Sequence, residues 1–192
     1  MPLLLSSAYL PPISFFTAML ESGGEVFIEQ FDSYHKQTFR NRALIATSNG
    51  VQSLTIPVVK SEGGKMLMKD VRISDHGEWR HLHWNALETA YMNSPFFIYY
   101  QDDLRPFYEK RYEFLLDFNM ELTQTIADLI GMKCSFKRTE EFVAEPVDVT
   151  DMRAAIKGTT ILMPEIKPYY QVFAKKNGFL KDLSIVDLLF NM

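Results

Sequence analysis

A chain of 192 residues, 47% apolar and 23% charged, fits one globular domain with enough interior to need no disulfide or metal staple. The 20 basic and 24 acidic residues leave a net charge of −4, which argues against a surface built to neutralise a nucleic-acid backbone. Cys134 is the single cysteine, and no apolar run reaches the length of a membrane span, so a cytoplasmic chain in a reducing compartment is expected.

In chain order, Leu3-Leu4-Leu5 reads as a short buried strand that the turn at Tyr9-Leu10-Pro11-Pro12 ends, with no basic residue ahead of it to make a signal peptide. Pro12 opens a helix through Met19 and Leu20, Gly23-Gly24 stops it, and Val26-Phe27-Ile28 is the next strand. This β-α-β unit predicts a parallel sheet. Residues 54–59 and 66–73 read as two further strands, antiparallel and joined through Glu62-Gly63-Gly64, with Pro57 at an edge or bulge.

From residue 75 the pattern turns helical. Asp75 and Glu78 have capping-box spacing, and Trp79, Leu82, His83, Ala86, Leu87, Ala90 and Tyr91 recur on one helix face. Ser94-Pro95 and Asp102-Asp103 read as further helix starts, with Pro106 in a first turn. Leu115, Phe118, Leu122, Thr125, Ile126 and Leu129 form another stripe that Gly131 closes. Periodicity fades beyond Lys133, and the charged stretch 137–151 reads as loop. Ser184 then precedes a short apolar helix. The fold class is therefore α/β: an N-terminal β-α-β unit with a small mixed sheet over about residues 1–74, and a helical half over about 75–192 packed on it, in a single domain.

The most concentrated polar segment runs from Asp32 to Arg42, directly after a strand. In open α/β sheets, loops at the carboxyl ends of strands line the ligand crevice. Lys36, Arg40 and Arg42 offer donors for a phosphate or carboxylate, and Tyr34 a ring for stacking. The alternative is a solvated surface or a set of structural ion pairs. His83 sits on the apolar stripe beside Trp79, where burial tunes a general acid or base; the alternative is a core histidine bonded to a backbone carbonyl. His81 and His83 are two apart rather than four, which excludes a helical zinc pair. The aromatic residues, 14% of the chain, are read mainly as core. No Gly-rich phosphate loop and no Cys-His pairing is visible, and no cofactor is implied.

Several segments together resemble the WbqC-like family, bacterial proteins associated with O-antigen and other surface-polysaccharide clusters. They are Tyr9-Leu10-Pro11-Pro12 with Phe15-Phe16; Tyr34 to Lys36 with Phe39-Arg40-Asn41-Arg42; Leu54 to Val58; Trp79 to Trp84; Tyr91 with Ser94 to Phe97; Leu116-Asp117 with Asn119; Tyr170-Gln171 with Phe173; and Leu183 to Asn191. The resemblance implies a role in polysaccharide biosynthesis, with glycyl or other aminoacyl transfer to an amino sugar as its chemistry. It brings no established catalytic residues. Many members carry His-Gln-Pro before the Tyr-x-Pro turn, where this chain has Leu5-Ser6-Ser7, so a role for that histidine does not apply. Members also commonly continue past the segment at which this chain reaches Met192.

Two functional classes follow. In the first, a cytoplasmic transferase acylates an amino sugar carried as a nucleotide-linked precursor. Lys36, Arg40 and Arg42 hold a phosphate or carboxylate, Gln37 and Asn41 bond sugar hydroxyls, Tyr34 and Trp79 contact the ligand, and His83 or Asp32 takes the proton from the attacking amine. No donor-binding motif accompanies them. In the second, the chain is a non-catalytic binding or assembly protein for a glycan precursor or a partner enzyme.

Overall fold

The computed structural model describes residues 1–60, 63–156 and 166–192. Strand β1 (Leu3–Leu5) is an unbroken apolar triplet with all three residues buried, the pattern of a strand covered on both faces. Pro12 precedes helix α1 (Ile13–Glu21) in extended conformation, and Gly23 and Gly24, at φ 82° and 87°, turn the chain into β2 (Glu25–Ile28). A Cβ on Gly24 would lie 2.1 Å from the Lys133 carbonyl oxygen, so glycine is what lets the later chain enter the sheet there. β1 and β2 pair in parallel, Leu3 opposite Val26 and Leu5 opposite Ile28, as a β-α-β unit requires.

The next two strands differ from the expected pair. β3 (Arg42–Thr47) and β4 (Gly50–Thr55) form an antiparallel hairpin in which Leu54 faces Ala43. The expected pairing of 54–59 with 66–73 shrinks to one bridge between Val58 and Ile73. Met68–Asp70 is a turn of 3-10 helix. Pro57 cannot donate to a ladder, so β4 ends before it. Glu62, expected in the connecting turn, lies outside the described residues.

Helix α2 (Trp79–Tyr91) buries Trp79, His83, Trp84, Leu87, Ala90 and Tyr91, whereas Leu82 is exposed. The capping box does not form. Glu78 sits at φ 47° and Gly77 at φ 74°, and the Asp75 carboxylate instead takes Arg80 and Arg111. Ser94 does not cap a helix either: α3 (Phe97–Leu104) starts after Phe96. Pro106 opens α4 (Pro106–Glu109) at the position where its missing N–H costs nothing. α5 (Leu115–Leu129) carries the expected stripe, and Gly131 follows at φ 70°.

The stretch read as loop contains the end of β5 (Ser135–Arg138) and all of β6 (Thr150–Asp151). Both lie at edges of a four-stranded sheet in the order β5-β2-β1-β6, every pair parallel. Edge strands tolerate charge on their open side, and this hid them. A short helix, α6 (Ala174–Asn177), precedes α7 (Ile185–Asn191). The Ser184 hydroxyl accepts from the Val186 amide at the start of α7, the short apolar helix expected after Ser184. No helix among the described residues is long and apolar enough to cross a membrane.

Leu3, Leu5, Val26 and Ile28 point into the main core. There Ile28 and Phe136 line a small gap together with Phe15 of α1 and Asn119 and Thr123 of α5. Leu4 and Phe27 point to the other side of the sheet. The chain leaves β1 in one direction for β2 and β5 and returns on the opposite side for β6. The carboxyl ends of β1 and β6 therefore flank a topological switch point, the place where open parallel sheets bind ligands.

Candidate functional site

Three of the four parallel strands are followed at once by a polar residue, and strand order gathers them. Ser6 follows β1, Glu29 follows β2 and Thr139 follows β5; all three are buried. Arg153 comes two residues after β6.

Glu29 is a fully buried carboxylate. One oxygen accepts from the Phe31 amide and the Thr139 hydroxyl, each at 2.9 Å. The other accepts from the Val143 amide at 3.0 Å and faces Arg153 Nη1 at 3.5 Å. Arg153 also donates to the Val143 carbonyl at 2.6 Å and grips Asp151 with two nitrogens. Glu29 and Arg153 thus bind β2, β5, β6 and residue 143 into one unit.

Arg40 is the largest fully buried side chain. Its backbone is fixed from two directions: the neighbouring Phe39 carbonyl accepts from the Tyr9 amide at 2.8 Å, and the Arg40 carbonyl accepts from Asn119 Nδ2 at 2.8 Å. Nη2 donates to the Asp32 carboxylate at 2.5 Å and to the Ser6 hydroxyl at 3.0 Å. Ser6 in turn donates to Asp32 at 3.0 Å, and the Ser33 amide donates to it at 2.8 Å. Burial alone would raise the Asp32 carboxyl, but the Arg40 charge and these donors outweigh it and hold it below the ordinary 3.8. The Asp32 side chain stays one-fifth exposed. Arg40 Nε and Nη1 and the Tyr34 hydroxyl are buried with no hydrogen-bond partner among the described residues. Burial lifts the Tyr34 hydroxyl to about 12 against the opposing pull of Arg40, so it stays a donor at neutral pH. Unmatched buried donors of this kind cost stability until an acceptor reaches them.

Of the residues singled out from the sequence, the structure brings Asp32, Tyr34 and Arg40 together. The others stand elsewhere. Lys36 and Gln37 lie on an exposed turn, with Gln37 at φ 61°. Asn41 is buried and donates to the Ile56 carbonyl at 2.9 Å, while Arg42 donates to the Thr55 hydroxyl at 3.1 Å. Both hold the base of the β3-β4 hairpin. His83 and Trp79 belong to an aromatic group with Tyr9, Tyr108 and Phe118. His83 Nδ1 is 2.9 Å from the Tyr9 hydroxyl, and the ring also bonds the Thr55 backbone. Burial pushes the imidazole down to about 4, against that backbone bond, so it is neutral at physiological pH. Among the described residues no group of three or more His, Cys, Asp or Glu side chains is placed to hold a metal ion.

The model of the WbqC-like protein family matches residues 6–166, a span that runs from Ser6 through Glu29, Asp32, Arg40, Thr139 and Arg153. The chain belongs to the WbqC-like family. An uncharacterized protein of Mycobacterium tuberculosis is 27% identical over 218 aligned residues, covering 98% of this chain and 92% of the relative. No solved structure matches.

Sequence reasoning missed Ser6, Glu29, Thr139 and Arg153 of this WbqC-like protein. A signal was present for two of them. Ser6 and Glu29 are the first polar residues after the strands Leu3–Leu5 and Glu25–Ile28, the position at which parallel strands deliver side chains to a crevice. Thr139 and Arg153 had no such signal, because β5 and β6 were not legible.

Proposed function

We propose that this WbqC-like protein is a transferase of surface-polysaccharide biosynthesis of the O-antigen type, moving an acyl or aminoacyl group onto the amine of an amino-sugar precursor. The observation that carries the reading is the buried Arg40, held by Asp32 and Ser6 at the switch point with two nitrogens unmatched. Such a group binds the phosphate of a sugar precursor or the developing oxyanion of acyl transfer.

The reaction joins the amine nitrogen to the acyl carbon and releases the donor's leaving group. The nitrogen becomes acidic as the new bond forms, so a carboxylate suffices to take its proton. Asp32 is ionised, keeps contact with solvent and is oriented by Ser6, Ser33 and Arg40. We assign it that role. The Tyr34 hydroxyl donates to substrate, and His83 acts as a core residue that supports β4 through Thr55.

The test incubates the full chain with nucleotide-linked amino sugars and with acyl and aminoacyl donors, and reads product mass together with thermal stabilisation by each ligand. Wild-type protein is expected to add the acyl mass. Asp32→Asn is expected to lose at least 100-fold in turnover while nucleotide-sugar stabilisation persists. Ligand stabilisation without transfer by any donor would replace this reading with the binding-protein one, and neither signal would remove both.

A further inference from the structure

The side of the sheet facing away from the core carries a groove of about 530 Å³, within the roughly 300–1,000 Å³ range of small-molecule sites. Leu4 and Phe27 form its floor, and Val143, Val147 and Val149 line its wall. Leu4 is buried yet stands apart from the main core cluster, as expected if this side of the sheet makes a second apolar surface.

Two features distinguish the groove from a gap left by loose packing. Its wall is fastened at Val143 on both backbone groups, the amide to Glu29 and the carbonyl to Arg153. The same fully buried carboxylate and largely buried guanidinium also hold Phe31, Thr139 and Asp151, and burying such a pair is costly. The groove also borders the polar cluster. Ser6 and Glu29 stand two residues beyond Leu4 and Phe27, about 7 Å further along the strands on the same side of the sheet, and Thr139 joins groove and cluster by donating to Glu29.

The lining chemistry selects the occupant. Thr139 donates to Glu29, and Lys137 and Arg138 are held in exposed ion pairs with Glu25 and Asp117. Glu140 and Glu141, both exposed, also border the groove, so charge sits at its rim while the floor and wall between are Leu, Phe and three Val. We propose that this groove binds an unbranched aliphatic chain whose polar end lies toward Ser6, Asp32 and Arg40. The proposal rests on the transferase reading only for which substrate bears the chain: in that reading it belongs to the acyl donor, for which the sequence offers no motif.

The test titrates the full chain with hexanoate, octanoate and decanoate, and with the corresponding alkyl glucosides below their micellar concentrations, so that head-group charge does not decide the result. Affinity is expected to rise about fourfold per methylene in at least one series until the groove is filled. Val147→Asp, at a residue 76% exposed and so without effect on folding, is expected to weaken decyl binding at least tenfold. Val149→Trp, which fills the groove, is expected to abolish the chain-length dependence. Affinities independent of chain length in both series, or equal in wild type and Val147→Asp, overturn the proposal. Transfer of an acetyl group with no chain-length effect would sink the groove and leave the transferase; chain binding without any transfer would do the reverse.

Discussion

Arg40 Nη2 lies 2.5 Å from the Asp32 carboxylate, with the arginine side chain fully buried and the aspartate one-fifth exposed. The asymmetry predicts unequal costs. Asp32→Asn leaves a buried guanidinium without its counter-charge and is expected to cost about 3–5 kcal/mol. Arg40→Met leaves a carboxylate that water can still reach, and is expected to cost less. Urea unfolding of the two variants decides, and equal costs would show that the arginine finds another acceptor.

The same pair sets an acid limit. The Asp32 carboxyl is held below its unfolded value of 3.8, so its contribution is complete above 3.8 and is lost as pH falls through the lower folded value. Between pH 5 and pH 2, wild-type stability is expected to approach that of Asp32→Asn. A constant gap over that range would mean that the pair does not depend on ionisation.

His83 acts in a higher window. Its folded value of about 4 lies below the ordinary 6.5, so the unfolded chain binds the extra proton between them. Stability is expected to be full above pH 6.5 and to fall on acidification by up to about 3 kcal/mol. His83→Gln, whose amide can accept from Tyr9 and donate to Thr55, is expected to lack that slope. An NMR titration of the ring with its midpoint near 6.5 would contradict the burial argument and return His83 to the set of candidate bases.

Glu29 tests the groove wall without any ligand. Glu29→Gln removes the charge opposite Arg153 and weakens the acceptor for Val143, at an expected cost of about 3 kcal/mol. Exchange of the Val143 amide is expected to accelerate more than that of amides in α5. Glu25→Gln breaks an exposed pair with Lys137 and is expected to cost under about 1 kcal/mol. A wall that stays protected in Glu29→Gln would show that Val143 is held by something other than this carboxylate.

These tests concern residues of very different legibility. β1, α1 and β2 were readable because Pro12 and Gly23-Gly24, each acting through its own backbone restriction, separate two apolar runs from the helical stripe between them. α2 and α5 were readable from their 3.6-residue period, although Leu82 shows that a stripe can include a position that faces water. β5 and β6 were not, because a short edge strand is defined by its partner rather than by its own residues. The site divides in the same way. Asp32, Tyr34 and Arg40 lie within nine residues of one another and stood out as a polar segment. Ser6, Glu29 and Arg153 are brought to one end of the sheet only through strand order, so nothing in their local sequence marks them as neighbours.

Asp187 supplies a pH dependence of opposite sign to that of His83. It is fully buried at the start of α7, accepting from the Tyr91 hydroxyl at 2.8 Å, the Tyr169 hydroxyl at 2.5 Å and Gln171 Nε2 at 2.8 Å. Burial raises its carboxyl above 3.8, and these three donors only partly oppose the rise. The folded chain therefore binds this proton more readily than the unfolded one. The stability it contributes is complete below 3.8 and declines as pH rises through the folded value. Asp187→Asn does not ionise, so the stability gap between wild type and variant is expected to be widest in acid and to narrow toward neutrality. Other carboxylates dominate the raw acid curve, so the gap rather than either curve is the measurement. A gap that widens with pH would show that the two tyrosines and Gln171 favour the charged form more than burial opposes it.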